Sequence, residues 1–321
     1  MPVYNAASTL QRSLDSLMNQ SFTDFELVCV NDASTDNSLE VIESYIPRAS
    51  KRGISVHVVT HDKNKGVAAA RNTGLDNAQG EFIYWLDSDD FIDADTLELF
   101  SQEAKSKGCD IVGCDWKLTF NGNERTVGQA NPTNGEELID FMMDGIMRWN
   151  LWLFMTRRSL IEEYNLRFIS GCNMGEDLMF MLKAATVSHG VSIIHKPLYH
   201  YIQTNSSALT KGWSTEYKNQ ISANLREAEK FIYAAKGKVR YAEKMMHLKL
   251  SLKLPLLISS RIEDYKAWEE WFPESNQFAG TNKNQPIYTR FVQAAARKKY
   301  YLLLKLYHLL VTKLIYGVIY K

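Results

Sequence analysis

Residues 25–38 read Phe25-Glu26-Leu27-Val28-Cys29-Val30-Asn31-Asp32-Ala33-Ser34-Thr35-Asp36-Asn37-Ser38. A short apolar run gives way to a polar loop, which is the pattern of a buried strand leaving a sheet. It recurs on the C-terminal side. Ile54 to Thr60 carries Val56, Val58 and Val59, and Phe82-Ile83-Tyr84-Trp85-Leu86 runs into Asp87-Ser88-Asp89-Asp90. Around these runs the period changes. Leu10, Leu14, Leu17 and Met18 are spaced helically over 8–19, Leu39, Ile42 and Ile46 over 38–49, and residues 66–77 are rich in alanine. Strands alternating with helices predict an α/β fold with a mostly parallel central sheet flanked by helices. Ligands of such sheets bind beyond the carboxyl ends of the strands, so the polar residues just after each strand are the first candidates for a site.

After Asp110 the alternation loosens. Ile111 to Phe120 predicts a strand, Asn121-Gly122 a turn and Glu124 to Val127 the return of a hairpin. Helices are predicted over 136–147 and 175–187, and a strand over 191–201 with Pro197 at an edge or bend. From about Ser214 the chain reads as helical, with stretches over 216–235 and 238–259, and Pro255 is expected to end or kink the second. These shifts suggest a first domain over 1–210, with halves of about 1–110 and 111–210, and a helical C-terminal region over 211–321.

Composition narrows the function classes. Lys plus Arg and Asp plus Glu both number 37, so no overall charge draws the chain to nucleic acid, and attraction to phosphates has to be local. Cys29, Cys109, Cys114 and Cys172 make no CxxC pair and no zinc spacing, which points to free thiols in a reducing compartment. The start Met1-Pro2-Val3-Tyr4-Asn5 does not read as a signal peptide. No run of about 18 uncharged apolar residues is present, so no spanning helix is expected. P-loop, GxSxG and HExxH patterns are absent.

Asp87-Ser88-Asp89 would suit Mg2+ or Mn2+, hard cations that take oxygen ligands and bridge carboxylates to phosphates. The cation also offsets the repulsion between aspartates and a diphosphate. Standing alone, such a loop is as often a helix cap or a turn. It does not stand alone. PVYN at 2–5, NDASTDNS at 31–38, NKGVAAARNTG at 64–74, GEFIYWLDSDD at 80–90 and GEDLMF at 175–180 follow in an order and spacing that resembles family 2 glycosyltransferases, from residue 2 to about 205. That resemblance implies a GT-A fold and sugar transfer with inversion from a nucleotide-sugar donor, most commonly UDP-linked, with dTDP or GDP as alternatives. Pro2, Val3 and Tyr4 would lie against the nucleotide base, and Asp32 would bind base or ribose. Lys65 and Gly66 would fall in the loop over the nucleotide, with Arg71 toward the diphosphate. Asp87 and Ser88 would contact ribose and donor, and Asp89 would hold the metal. Asp177 matches the family's general base, the carboxylate that takes the acceptor's hydroxyl proton. At a helix start, however, Glu176 and Asp177 also read as ordinary first-turn acids.

Weaker assignments surround these. Glu176, Trp149 and Trp152 are acceptor-side candidates, since an exposed tryptophan stacks on sugars, although core packing is expected for at least one of the two rings. His200 is a candidate for the metal or diphosphate against a structural histidine as default, and the Asn205-Ser206-Ser207 loop is a phosphate candidate. The acceptor implied is a saccharide or lipid-linked molecule. The competing readings are a non-catalytic nucleotide-sugar-binding or scaffold protein and, further off, a sugar nucleotidyltransferase, which would want a Gly-rich phosphate loop near the N-terminus.

Both ends carry a further expectation. Residues 297–321 hold six Lys or Arg and no acid among aromatic and aliphatic residues. Such a segment either lies in an anionic membrane interface or packs on the domain or a second subunit. A cytoplasmic protein, peripheral at the inner face of the cytoplasmic membrane if the first alternative holds, is the corresponding location. Relatives usually begin several residues upstream, with an apolar stretch leading into PVYN, so the first strand is expected to be a stub and an N-terminally extended form to be more stable.

Overall fold

The computed structural model describes residues 1–120, 123–203 and 214–311. They form two compact units, Met1–Leu138 with Trp149–Phe231, and Ile139–Arg148 with Ile232 onward.

The first unit opens with a parallel sheet of β1 (Pro2–Val3), β2 (Glu26–Asn31) and β3 (Ser55–Thr60), adjacent in that order. The connecting helices are α1 (Ala7–Met18) and α2 (Ser38–Ser50), and α3 (Val67–Asn77) follows β3. α1 buries Leu10, Leu14, Leu17 and Met18, the residues whose spacing predicted it. A second, mixed sheet is built from β4 (Phe82–Tyr84), β5 (Phe91–Ile92), β6 (Ile111–Phe120), β7 (Asn123–Val127), β8 (Phe154–Arg157) and β9 (Val191–Ile202). Their order is β4-β8-β6-β9-β5, with β7 on β6. Only β6 and β9 run parallel in it. α4 (Thr96–Lys107), α5 (Gly135–Met143), α6 (Arg158–Glu163) and α7 (Glu176–Val187) complete the sequence to β9. At the centre, Ile111 to Trp116 of β6 and Leu178 to Thr186 of α7 are all buried. The hairpin turn expected at Asn121-Gly122 and the Asn205-Ser206-Ser207 loop lie outside the described residues.

Three details differ from, or refine, the expectation. The strand at Phe82 does not join a parallel ladder; its partner is β8, antiparallel, with Ile83 opposite Thr156. A cleft of about 290 Å³ lies between β2 and β4, lined by Met1, Val28, Leu75, Phe82 and Tyr84. Pro197 falls inside β9 opposite Asp115, where the register with β6 shifts; a residue without an N–H fits a bulge better than a regular ladder. The helix expected over 136–147 stops at Met143 because Gly145 takes φ +71. Gly145 N–H donates to the carbonyl of Met142 and Ile146 N–H to that of Phe141, the reciprocal pair that closes a helix on a left-handed glycine.

The second unit is helical. α8 (Thr215–Lys236) contains the division between the units, and α9 (Lys238–Leu252), α10 (Ile262–Glu270), α11 (Ile287–Arg297) and α12 (Tyr301–Leu310) follow. Pro255 ends α9's run, sitting in a 3-10 turn over Leu254–Leu257. Tyr241, Leu248, Tyr265 and Trp268 form its buried centre. Asp144, from the short segment contributed by mid-chain, accepts from Lys244 Nζ at 3.2 Å and Asn284 Nδ2 at 2.8 Å. No described helix is long and apolar enough to cross a membrane.

Candidate active site

The strand ends at β1, β2 and β3 place their polar residues together. Asp32 follows β2 and is buried, and its oxygens are already committed. Oδ1 accepts from the Lys65 N–H at 2.8 Å and lies 2.6 Å from His61 Nδ1, and Oδ2 accepts from the Gly66 N–H at 2.8 Å. Asp32 therefore ties the β3–α3 loop to the end of β2. His61, directly after β3, carries the chain of contacts on to Thr73 Oγ1 at 2.9 Å. The sequence reading passed over His61, although its position just beyond a strand was the signal to look for. Gly66 has φ +86, and a Cβ there would meet the Asn173 amide at 2.3 Å, so the loop needs glycine on both backbone and steric grounds. Asn173, also absent from the reading, accepts from the Ala68 N–H at 3.1 Å. Val3 is buried, and its carbonyl accepts from the Asp32 N–H at 2.8 Å, which leaves half-buried Pro2 and exposed Tyr4 as the surface of the PVYN segment. The Lys65 ammonium is 2.8 Å from Asp62.

The Asp87–Asp90 loop is held from behind by α1. Thr9 Oγ1 donates to the Ser88 carbonyl, Arg12 Nη2 to that of Asp89 and Ser13 Oγ to that of Asp90. Asp90 points inward: it is fully buried and accepts from Tyr199 Oη at 2.7 Å and the Ile202 N–H at 2.8 Å. Burial pushes its pKa well up, with Asp89 and Asp87 adding to the shift. Asp87, Ser88 and Asp89 remain partly exposed.

Across from this loop sits Arg71 of α3, only 5% exposed. Its Nη1 donates to Glu176 Oε1 at 2.8 Å and to Asp177 Oδ1 at 2.6 Å, and its Nη2 reaches Asp87 Oδ1 at 3.4 Å. Nε is buried without a partner among the described residues. Its outer nitrogens are thus engaged by carboxylates. Asp177 is also fixed on its other oxygen, which accepts from the Leu151 N–H at 3.3 Å. Gly175, at φ +77, turns the chain into α7 so that both acids occupy its first turn.

One cation among three carboxylates leaves an excess of negative charge. Burial pushes Glu176 up to about 8, with Asp177 adding to the shift and Arg71 opposing it. Burial raises Asp87 to about 6 against the pull of Arg71, with Asp89 and Asp177 contributing. Burial alone would lower Arg71, but Asp177, Asp87 and Glu176 outweigh it and raise its pKa. This balance fits a divalent cation. Among the described residues no three His, Cys, Asp or Glu side chains form a metal cage. A Mg2+ or Mn2+ ion shared with a nucleotide needs only one or two carboxylates, since phosphates complete its shell. Asp89, partly exposed beside Asp87, is placed where it would serve as one.

The remaining candidates separate. Trp152 is buried, stacked on Tyr199 at 4.3 Å and Tyr201 at 5.4 Å, so it is the core tryptophan of the pair and shows no face to an acceptor. Trp149 is half-buried. His200 is buried in the β5–β9 pair, stacked on Phe91 at 4.1 Å, with Nε2 2.8 Å from Asp93 Oδ1 and Nδ1 without a hydrogen-bond partner among the described residues.

Known proteins resemble this chain in sequence and in fold. The sequence model described as Glycosyl transferase family 2 matches residues 1–178. The chain is 30% identical to the uncharacterized glycosyltransferase EpsJ of Bacillus subtilis (strain 168) over 71% of its own length and 65% of that protein, so it spans just under two thirds of this relative. It is 30% identical to the poly(ribitol-phosphate) beta-N-acetylglucosaminyltransferase TarP of Staphylococcus aureus (strain N315), over 73% of this chain and 71% of TarP. Among solved structures, S. aureus TarS 1-349 in complex with UDP superposes with a TM-score of 0.68 at 21% identity, covering 95% of this chain and 89% of that one, a likeness of fold.

Proposed function

The chain belongs to glycosyl transferase family 2 and has that family's GT-A fold, and on this premise we propose that it transfers a sugar, with inversion, from a nucleotide-diphosphate sugar to a saccharide or lipid-linked acceptor. The observation that carries the proposal is the Arg71 bridge. It brings Asp177 and the Asp87 loop to opposite sides of one guanidinium, so acceptor-side and donor-side carboxylates share a fixed geometry.

In this reading Pro2 and Tyr4 flank the nucleotide base, and Asp32 acts indirectly, holding the Lys65-Gly66 loop against the donor. Asp87 and Ser88 contact the ribose and sugar. Asp89 would hold Mg2+ or Mn2+, which when bound neutralises charge on the departing diphosphate. Asp177 accepts the proton of the acceptor hydroxyl while that oxygen attacks the anomeric carbon. The bond from that carbon to the diphosphate breaks on the opposite face, which inverts the centre. Arg71 and the Leu151 N–H leave Asp177 little freedom to turn away. Arg71 is thus a positioning residue, and Glu176 shares its guanidinium. Trp149 is kept as the acceptor-side aromatic.

UDP is the preferred nucleotide, in line with the TarS complex, and a cell-envelope polymer or its lipid-linked precursor is the acceptor class, in line with the name of TarP. A cytoplasmic location agrees with four cysteines that form no disulfide. Calorimetry with UDP, dTDP and GDP, with and without Mn2+, tests this. Tightening by metal should vanish in Asp89→Ala and persist in Asp177→Ala, whereas transfer should fall by roughly 10²–10⁴-fold in Asp177→Asn. A folded protein that binds none of the nucleotides would instead favour a scaffold role.

A further inference from the structure

The second unit ends in a surface that its own core does not explain. On α11, Ile287, Tyr288 and Phe291 are exposed by 80, 60 and 56%. On α12, Leu302, Leu306 and Leu309 are exposed by 72, 49 and 47%. Their spacings of one, three and four place them on one side of each helix. The opposite sides are packed: Thr289, Gln293 and Ala296 on α11 and Leu304 on α12 are buried. Both helices are therefore anchored by one buried side and carry an apolar one outward. Scattered surface leucines need no explanation, but a sustained outward apolar stripe does.

Charge decides what covers it. After Glu274 the sequence contains no Asp or Glu, while it holds Lys283, Arg290, Arg297, Lys298, Lys299, Lys305, Lys313 and Lys321. Arg297, Lys298 and Lys299 are exposed at the junction of α11 and α12, next to exposed Tyr300. A second copy of this chain would bring the same cations against each other, and like charges facing across an interface oppose association. A surface of anionic phosphate headgroups over acyl chains matches both properties at once. No described helix is long and apolar enough to cross a membrane, and the basic and apolar residues of α11 and α12 suit binding in the plane of the interface.

We propose that α11 and α12 dock the protein on an anionic lipid surface, with Phe291 and the α12 leucines entering the headgroup–acyl boundary and Arg297 and Lys298 contacting lipid phosphates. The inference is independent of the transfer reaction and needs no sugar nucleotide for its test. The full chain is mixed with phosphatidylcholine vesicles, with or without phosphatidylglycerol, and floated on a density gradient.

The parent should float with the anionic vesicles alone and be released by salt. Leu302→Gln/Leu306→Gln/Leu309→Gln should weaken binding by at least about tenfold, and Arg297→Gln/Lys298→Gln by about fivefold per cation. All these side chains are exposed, so parent-like melting is expected; Ile287→Gln/Phe291→Gln is a second arm on the other helix should the first variant melt early. The proposal is overturned if the parent ignores anionic vesicles or if both apolar variants bind as well as the parent. It is also overturned if ultracentrifugation shows a dimer that the leucine changes dissolve while vesicle binding is absent, since the face would then belong to a second copy.

Discussion

The two units bury charge in opposite ways. In the first, Arg71 lies among Glu176, Asp177 and Asp87, and the carboxylates outnumber the cation. In the second, Lys253 is fully buried, with no carboxylate as hydrogen-bond partner among the described residues. Its ammonium donates to the carbonyls of Trp271 at 2.9 Å and Phe272 at 3.3 Å and to Asn276 Oδ1, and lies 4.2 Å over the Trp268 ring. Lys253 thus finishes carbonyls around the 3-10 turn Pro273–Phe278, a structural task met by neutral oxygens. The Arg71 cluster does the reverse. It gathers like charges that repel, an arrangement that costs stability and persists where a ligand or a reaction uses it. Buried charge alone is therefore a poor sign of function; an unbalanced set of one sign is the better one.

Removing Arg71 should produce the largest effect. Arg71→Met strips the cation from Asp177 and Asp87, with Glu176, raised to about 8, largely holding its proton at pH 7.5, and should cost about 3–5 kcal/mol. Denaturation in urea at pH 7.5 checks this, and the deficit should shrink toward pH 4 as the acids take up protons. A loss below about 1 kcal/mol would mean the cluster is solvated and the contrast is false. Lys253→Met should cost less, about 1–3 kcal/mol, because it strands carbonyls rather than charges. It should also change a pH slope. Burial lowers Lys253 from 10.5 to about 7, opposed by Glu274. The native unit then lacks a proton that the unfolded chain keeps, so stability rises as pH climbs from about 7 to 10.5. The methionine variant should lack that rise, as read by hydrogen exchange in α9.

Glu176 gives the smallest effect near pH 5 and the opposite slope. Its pKa is raised from 4.5 to about 8, so the native state keeps a proton that the unfolded chain has lost, and stability falls as pH rises through that window. Glu176→Gln imitates the protonated acid. It should lie within about 0.5 kcal/mol of the parent at pH 5 and exceed it above pH 8, where the parent carries the extra charge. Melting curves across that range decide it; parallel curves for parent and variant would remove Glu176 from the cluster's electrostatics.

Local pattern was enough for most elements. The apolar runs at 25–30, 54–60 and 111–120 became β2, β3 and β6, and the helical spacings became α1, α2 and α7. The motif set likewise located the family and the loops at the strand ends. What failed locally failed for a stated cause: Gly145 cut a helix short, and Phe82–Tyr84 paired with β8 instead of continuing a parallel ladder.

Sequence by itself determined which segments are strands and helices, and that Asp32, Asp87, Asp89 and Asp177 fall where strands end or helices begin, because periodicity and turn chemistry act over a few neighbouring residues. Only the tertiary structure decided what those residues hold. Asp32 turned out to grip the Lys65 and Gly66 amides, Asp90 to face inward on Tyr199, Trp152 to stack inside, and Arg71 to reach Asp177 across 106 positions of chain. A side chain's partner is set by burial and by which oxygens remain unsatisfied after the sheets have assembled, and neither quantity exists in the linear chain.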